Sequence, residues 1–241
     1  MKVLKVILII LLVLAILAGL GFAGWKFVYP LFFDSARGYT LANNAYGEMQ
    51  IIRYEGDAKK LTLPSEHEGK VVAEIDSFAF ETETLREVTI SASVTKLHLD
   101  PFMKCPALEK IHVAQDNPEM TSVDGVLFSK DGKTLLSYPR GRQGSYDVPE
   151  GVETIAPFAF AKATALTGVT FPASVHTVGM SAFQSCTGLD SVVLPATISQ
   201  IGENAFQIYG GIGLHVEEGS AAEEYGLQMG FRVQLMENAA E

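Results

Sequence analysis

Apolar positions follow two regimes along this chain. From Val6 to Trp25 they run unbroken, twenty residues without a charge. Beyond residue 39 they recur at a fixed interval. Ala159-Phe160, Ala182-Phe183 and Ala205-Phe206 stand 23 residues apart, Ala79-Phe80 is an earlier copy, and Pro101-Phe102 follows it by 22. An aliphatic residue lies five before each Phe: Ile75, Leu97, Ile155, Val178 and Ile201. Another lies five or six after: Leu85, Leu108, Leu166, Leu189 and Ile212. Then come the triplets Val88-Thr89-Ile90, Ile111-His112-Val113, Val169-Thr170-Phe171 and Val192-Val193-Leu194, with Pro149, Pro172 and Pro195 closing three copies. In each triplet the outer residues are apolar and the middle one mostly is not, which predicts a short strand with one buried face.

A period of 23 lies within the range of about 20–29 residues for leucine-rich repeats. The expected fold is therefore a leucine-rich-repeat solenoid, mainly β, with short parallel strands joined by short helical turns. Each coil buries its ladder only against its neighbours, so the coils stabilise one another. The repeats cover residues 71–113 and 149–213. Between them, 114–148 is a lengthened repeat. There Gly125-Val126-Leu127-Phe128 and Thr134 to Tyr138 flank Asp131-Gly132, a turn signal that predicts an extruded β-hairpin insertion. Residues 39–70 form an N-terminal cap, with strands at Tyr39-Thr40-Leu41, Met49 to Tyr54 and Leu61-Thr62-Leu63. Residues 214–235 form a C-terminal cap. Ser220-Ala221-Ala222-Glu223 starts a capping helix that runs to about Met229, Gly230 stops it, and Phe231 to Leu235 alternates as a last strand.

The spacing Ile-x4-AF-x2-C-x2-L-x2-V-x-L-P resembles that of the BspA-like leucine-rich-repeat proteins. Its fullest copy is Val178, Ala182, Phe183, Cys186, Leu189, Val192, Leu194 and Pro195. The stretches Val123 to Phe128, Leu135 to Pro139 and Glu217 to Tyr225 are also similar to that family. The resemblance spans about residues 39–235. It implies a surface-exposed or secreted protein, in some members adhesive toward host or bacterial partners, and no catalysis. This chain departs from the pattern at Pro101, at Glu83, Ala163 and Tyr209 in the Cys slot, and in the Gly-rich last repeat.

The first apolar run has the length of a membrane span, since a twenty-residue helix is roughly 30 Å long. Lys2 and Lys5 precede it, and Trp25, Tyr29, Phe32 and Phe33 follow where an interfacial belt would lie. Residues 1–29 are thus expected to form a signal anchor, a single transmembrane helix. A cleaved leader, cut near Gly21-Phe22-Ala23, is the alternative. Either way residues 30–241 are extracytoplasmic. Ala15, Gly19 and Ala23 repeat every four residues, a spacing that allows close helix packing. The match of Gly19 to Gly24 to G-x-G-x-x-G lacks the strand and helix that a dinucleotide site needs.

Formal net charge is −10, and removing Lys2, Lys5 and Lys26 leaves 15 basic against 28 acidic residues, a net −13. A body so acidic repels nucleic-acid backbones and anionic headgroups, so the chain meets the membrane only through its N-terminal helix. Cys105 and Cys186 occupy the same slot of different coils. At about 4.8 Å per coil they lie roughly 14 Å apart, beyond disulfide reach, and are expected to be buried and unreactive. The five histidines show no metal-ligand spacing. No nucleophile elbow, Walker loop or EF-hand loop occurs, so neither an enzyme nor a cofactor is expected.

Two surfaces are candidates for a partner. The exposed strand face presents Glu87, Thr89, Lys110, His112, Asp147, Gly168, Thr170, Ser191 and Val193, a mixed and mostly small row without aromatic anchors. The insertion carries Tyr138, Arg140, Arg142 and Tyr146 beside Lys130 and Lys133, a basic and aromatic patch on an acidic body. Against this stands a structural role, with Tyr138 packing the hairpin and the arginines balancing acids. The expected function is binding or adhesion to a protein or glycan at the cell surface. The alternative is a structural envelope scaffold that self-associates. The sequence leaves the ligand and the oligomeric state open.

Overall fold

The computed structural model describes residues 32–34, 38–208 and 211–236. The expected anchor (1–29), the tail beyond Met236 and Tyr209 lie outside them. No helix among the described residues is long and apolar enough to cross a membrane.

The chain winds into a mainly-β solenoid of about eight coils with one short helix near the C-terminus. One side of each coil, the ladder side, carries strands of three to five residues. Lys60–Thr62, Glu87–Ile90 and Lys110–Val113 pair in parallel, with Leu61, Val88 and Ile111 in one row. Gly144–Asp147 pairs with Leu166–Thr170. Ser191–Leu194, Gly213–Val216 and Arg232–Leu235 follow, with Val192, Leu214 and Val233 in register. Alternation sends Val88, Ile90, Ile111, Val192 and Leu194 into the core.

The opposite, ring side is built from two-residue strands and the Ala-Phe turns. Leu135, Ile155, Val178 and Ile201 stack in parallel register, and before them Ile51, Ile75 and Leu97 do the same. The aromatic rings line up as the period predicts. Phe160, Phe183 and Phe206 stack at centroid distances of 4.6 and 5.1 Å with interplanar angles of 13° and 5°. Tyr54 and Tyr138 fill the same slot, Tyr54 5.5 Å from Phe80 and Tyr138 4.8 Å from Phe160. The N–H groups of Tyr54, Phe80, Tyr138, Phe160 and Phe183 donate to the carbonyl of the residue before the next ring, as in Phe160 to Ala182 and Phe183 to Ala205. The residue two before the ring is left-handed at Phe78, Phe158, Ser181 and Asn204. Gly179 and Gly202 sit against the backbone of the preceding coil, where a Cβ would come within 2.5 Å of Pro157 N and 2.3 Å of Met180 N.

The lengthened repeat differs from the extruded hairpin expected. It is a three-stranded meander, Met120–Val123, Val126–Ser129 and Thr134–Ser137. The Asp131-Gly132 turn joins the last two strands as expected, and a second tight turn at Asp124-Gly125, both residues with positive φ, joins the first two. The meander is woven into the coil because Val126-Leu127-Phe128 is apolar on both faces, and such a strand is stable only when covered twice. All three side chains are buried, and Thr134–Ser137 becomes the ring-side rung paired with Thr154–Ile155. Asn117, fully buried, braces the entry. Its amide donates to the carbonyls of Ser91 and Val94, and its oxygen accepts from the N–H groups of Glu119 and Met120.

Strands close the first coil and a short helix lies at the last. Tyr39–Asn43 and Met49–Tyr54 form an antiparallel pair over the first coil. The helix α1, Ala221–Gln228, is capped by Ser220, whose Oγ accepts from Glu223 N, while Glu223 accepts from Gly219 N. Both thiols are free and buried. Each Sγ donates to the carbonyl of a ring residue, Cys105 to Phe80 and Cys186 to Phe160, and burial pushes both up to about 12.

Candidate functional site

The six candidate residues divide into two groups. Arg140 is 2% exposed, Tyr138 is fully buried and Tyr146 nearly so, which removes all three from the surface patch. The reason is the woven meander: it carries Tyr138 into the ring column and Tyr146 onto an inward position of the strand Gly144–Asp147. Tyr146 packs edge-on against Tyr138 at 5.1 Å. Arg140 Nε donates to Ala161 O, Nη1 to Ser137 Oγ, Tyr138 O and Ala159 O, and Nη2 to Phe158 O and the carboxylate of Asp100. With every donor engaged inside the protein, none is left for a ligand. Lys130 and Lys133 are also engaged, Lys130 by the carbonyls of Gln115 and Asn117 and Lys133 by Glu153.

Lys110, His112 and Arg142 remain at the surface. The strand Lys110–Val113 points Lys110 and His112 outward, both exposed. Arg142 is half-buried. Its guanidinium lies 5.4 Å above the Tyr146 ring, donates to Asp124 O and pairs with the Asp124 carboxylate. That pairing holds Asp124 below the usual carboxylate range. The Asp124-Gly125 turn brings Asp124 here. Gly125 packs against Lys110 so closely that a Cβ would sit 3.1 Å from Lys110 Cγ, and its carbonyl accepts from Ile111 N.

Glu109, Lys110, Asp124, Gly141, Arg142 and Gln143 together line a shallow groove of about 370 Å³. Glu109 is paired with Arg86. Among the described residues no salt bridge or side-chain hydrogen bond engages Lys110, Gln143 or the adjacent His112, although the Glu87 carboxylate on the neighbouring strand feels the charge of Lys110. The groove therefore offers the Lys110 ammonium and the Gln143 amide, with the His112 imidazole beside it, which suits hydrogen bonding to a polar or anionic group. Among the described residues no three His, Cys, Asp or Glu side chains converge on a metal position. Sequence reasoning missed Asp124, Glu109 and Gln143; the Asp-Gly dipeptide was the available signal for the first.

The model of the BspA type leucine-rich-repeat region matches six copies, over residues 54–134 and 142–212, more than half of the chain. A leucine-rich repeat protein from Eubacterium ventriosum has the same fold with a TM-score of 0.53, 17% identity, and coverage of 79% of this chain and 72% of its own. The leucine-rich repeat protein of T. pallidum aligns at 22% identity and a TM-score of 0.37, over 76% of this chain and 71% of its own. A leucine rich cell surface protein from Faecalibacterium prausnitzii aligns at 14% identity and 0.35, over 81% and 96%. A search of curated proteins finds no match. The chain belongs to the BspA-type leucine-rich-repeat family.

Proposed function

We propose that this protein is a non-catalytic binding module held at the cell surface by its N-terminal apolar segment, and that it meets a protein or glycan partner through the groove beside Lys110 and His112. The carrying observation is the contrast between these side chains and their surroundings. On the neighbouring rungs Lys60 and Arg86 are closed into salt bridges with Glu87 and Glu109, whereas Lys110 and His112, which Glu87 meets only through its longer-range field, stand exposed on a rigid strand at the mouth of a groove. A binding residue held on regular structure loses little freedom on association. The uncharged run Val6 to Trp25 supports the tether, and the acidic body supports a domain that stands off the bilayer.

The test displays the full-length chain on cells and measures adhesion to immobilised proteins, bacterial cells and glycans. Lys110→Glu plus His112→Glu alters the groove and breaks no salt bridge among the described residues, and capture should fall at least about tenfold, a loss near 1.4 kcal/mol. Equal capture by both forms would remove the groove from consideration. Capture only by a second copy of this chain would favour the self-associating scaffold.

A further inference from the structure

We infer that the inserted strand Val126–Ser129 is a septum that divides the solenoid into two cooperative units, which open and unfold separately. The buried apolar residues form two distinct clusters, one before the insertion and one after it. The septum strand serves both, sending Leu127 into the first and Val126 and Phe128 into the second. The ring-side strand pairing between coils stops at this point. The ring-side strand Lys96–Leu97 pairs back to Lys70–Ile75, while Thr134–Ser137 pairs forward to Thr154–Ile155. Phe102 packs on Phe80 and Tyr138 on Phe160. The N–H that should continue the ring-to-ring hydrogen bonds, that of Phe102, instead meets Asp100 Oδ1. A hollow of about 210 Å³, lined mainly by Leu97, Leu99, Pro101, Leu136, Ala156 and Pro157, marks the gap.

The links that cross the gap are of another kind. Arg140 reaches from the second unit to Asp100, which also accepts from Ser137 Oγ. Phe78 and Phe158, both left-handed, meet edge to face at 5.8 Å. Gly141 N donates to Leu108 O and Ile111 N to Gly125 O. In a solenoid, cooperativity passes only between neighbouring coils, so the weakest interface bounds the folding units.

Hydrogen exchange of the full chain, read by mass spectrometry, tests this. Phe80→Leu and Phe183→Leu each weaken one ring column. Each should speed exchange by about tenfold or more within its own unit and by less than about twofold in the other. Arg140→Met should speed exchange on both sides of the gap, at residues 97–102 and 134–138, ahead of either core. Equal acceleration of both units by either Phe substitution would overturn the division, as would an Arg140→Met chain whose gap segments exchange no faster than the native ones. If one Phe variant does not fold, the other alone decides between a confined and a general response.

Discussion

Phe183 lies parallel between two other rings and is fully buried, so removing it leaves a void that neighbouring coils cannot close. Phe183→Ala should cost about 3–5 kcal/mol, read from denaturant unfolding. This residue, with Phe80, Phe160 and Phe206, was legible from spacing alone. Tyr54 and Tyr138 were not, because neither follows an alanine and the lengthened repeat shifts the count. The left-handed slot two before four of the rings was equally hidden. Ser181 and Asn204 suit it, whereas an aromatic residue there costs on the order of 1–3 kcal/mol. Phe78 and Phe158 accept that conformation where their rings meet, a contact worth about 0.5–1.5 kcal/mol beyond burial. Period reveals what every coil repeats, and these two rings matter because of where the repeat is interrupted.

Element by element, the alternating strands were readable and the continuous apolar one was misplaced. The turn signal at Asp131-Gly132 predicts Val126-Leu127-Phe128 as one arm of an extruded hairpin. Its lack of alternation was the sign of a strand covered on both faces, and that difference relocates Tyr138, Arg140 and Tyr146 from surface to core. The N-terminal cap is held by a polar clasp as well as by packing. Buried Glu74, on the strand Lys70–Ile75, accepts from Asn44 of the cap turn and from Lys96 and His98 of the next coil. Burial pushes its carboxyl up, but these hydrogen bonds outweigh that and hold it below the ordinary value of 4.5. A carboxyl depressed in the folded state stabilises above its unfolded pKa. That contribution fades as pH falls through the folded value, because the unfolded chain takes up the proton first. Thermal melts between about pH 6 and pH 3 should therefore show a loss that Glu74→Gln flattens.

For the whole molecule, the repeat told almost everything about architecture and little about binding, since a solvated face carries no constraint that periodicity can reveal. The cations show the distinction. Arg140→Met strands the buried Asp100 carboxylate and should cost about 3–5 kcal/mol, whereas Lys110→Glu should change stability by no more than about 0.5 kcal/mol. Paired denaturation curves would separate the structural arginine from the lysine available to a partner. The groove also crosses the gap between the two units: Glu109 and Lys110 precede the septum, Asp124 belongs to the meander and Arg142 follows. A partner seated there would touch both units at once, so binding and the rigidity of the whole solenoid are linked.

Both sulfurs are sealed inside the coil, each directed at a main-chain oxygen and far from its thiolate form at neutral pH. No covalent cross-link holds either half together. The fold is consequently indifferent to whether its surroundings oxidise or reduce, and it can be completed without any disulfide-forming catalyst.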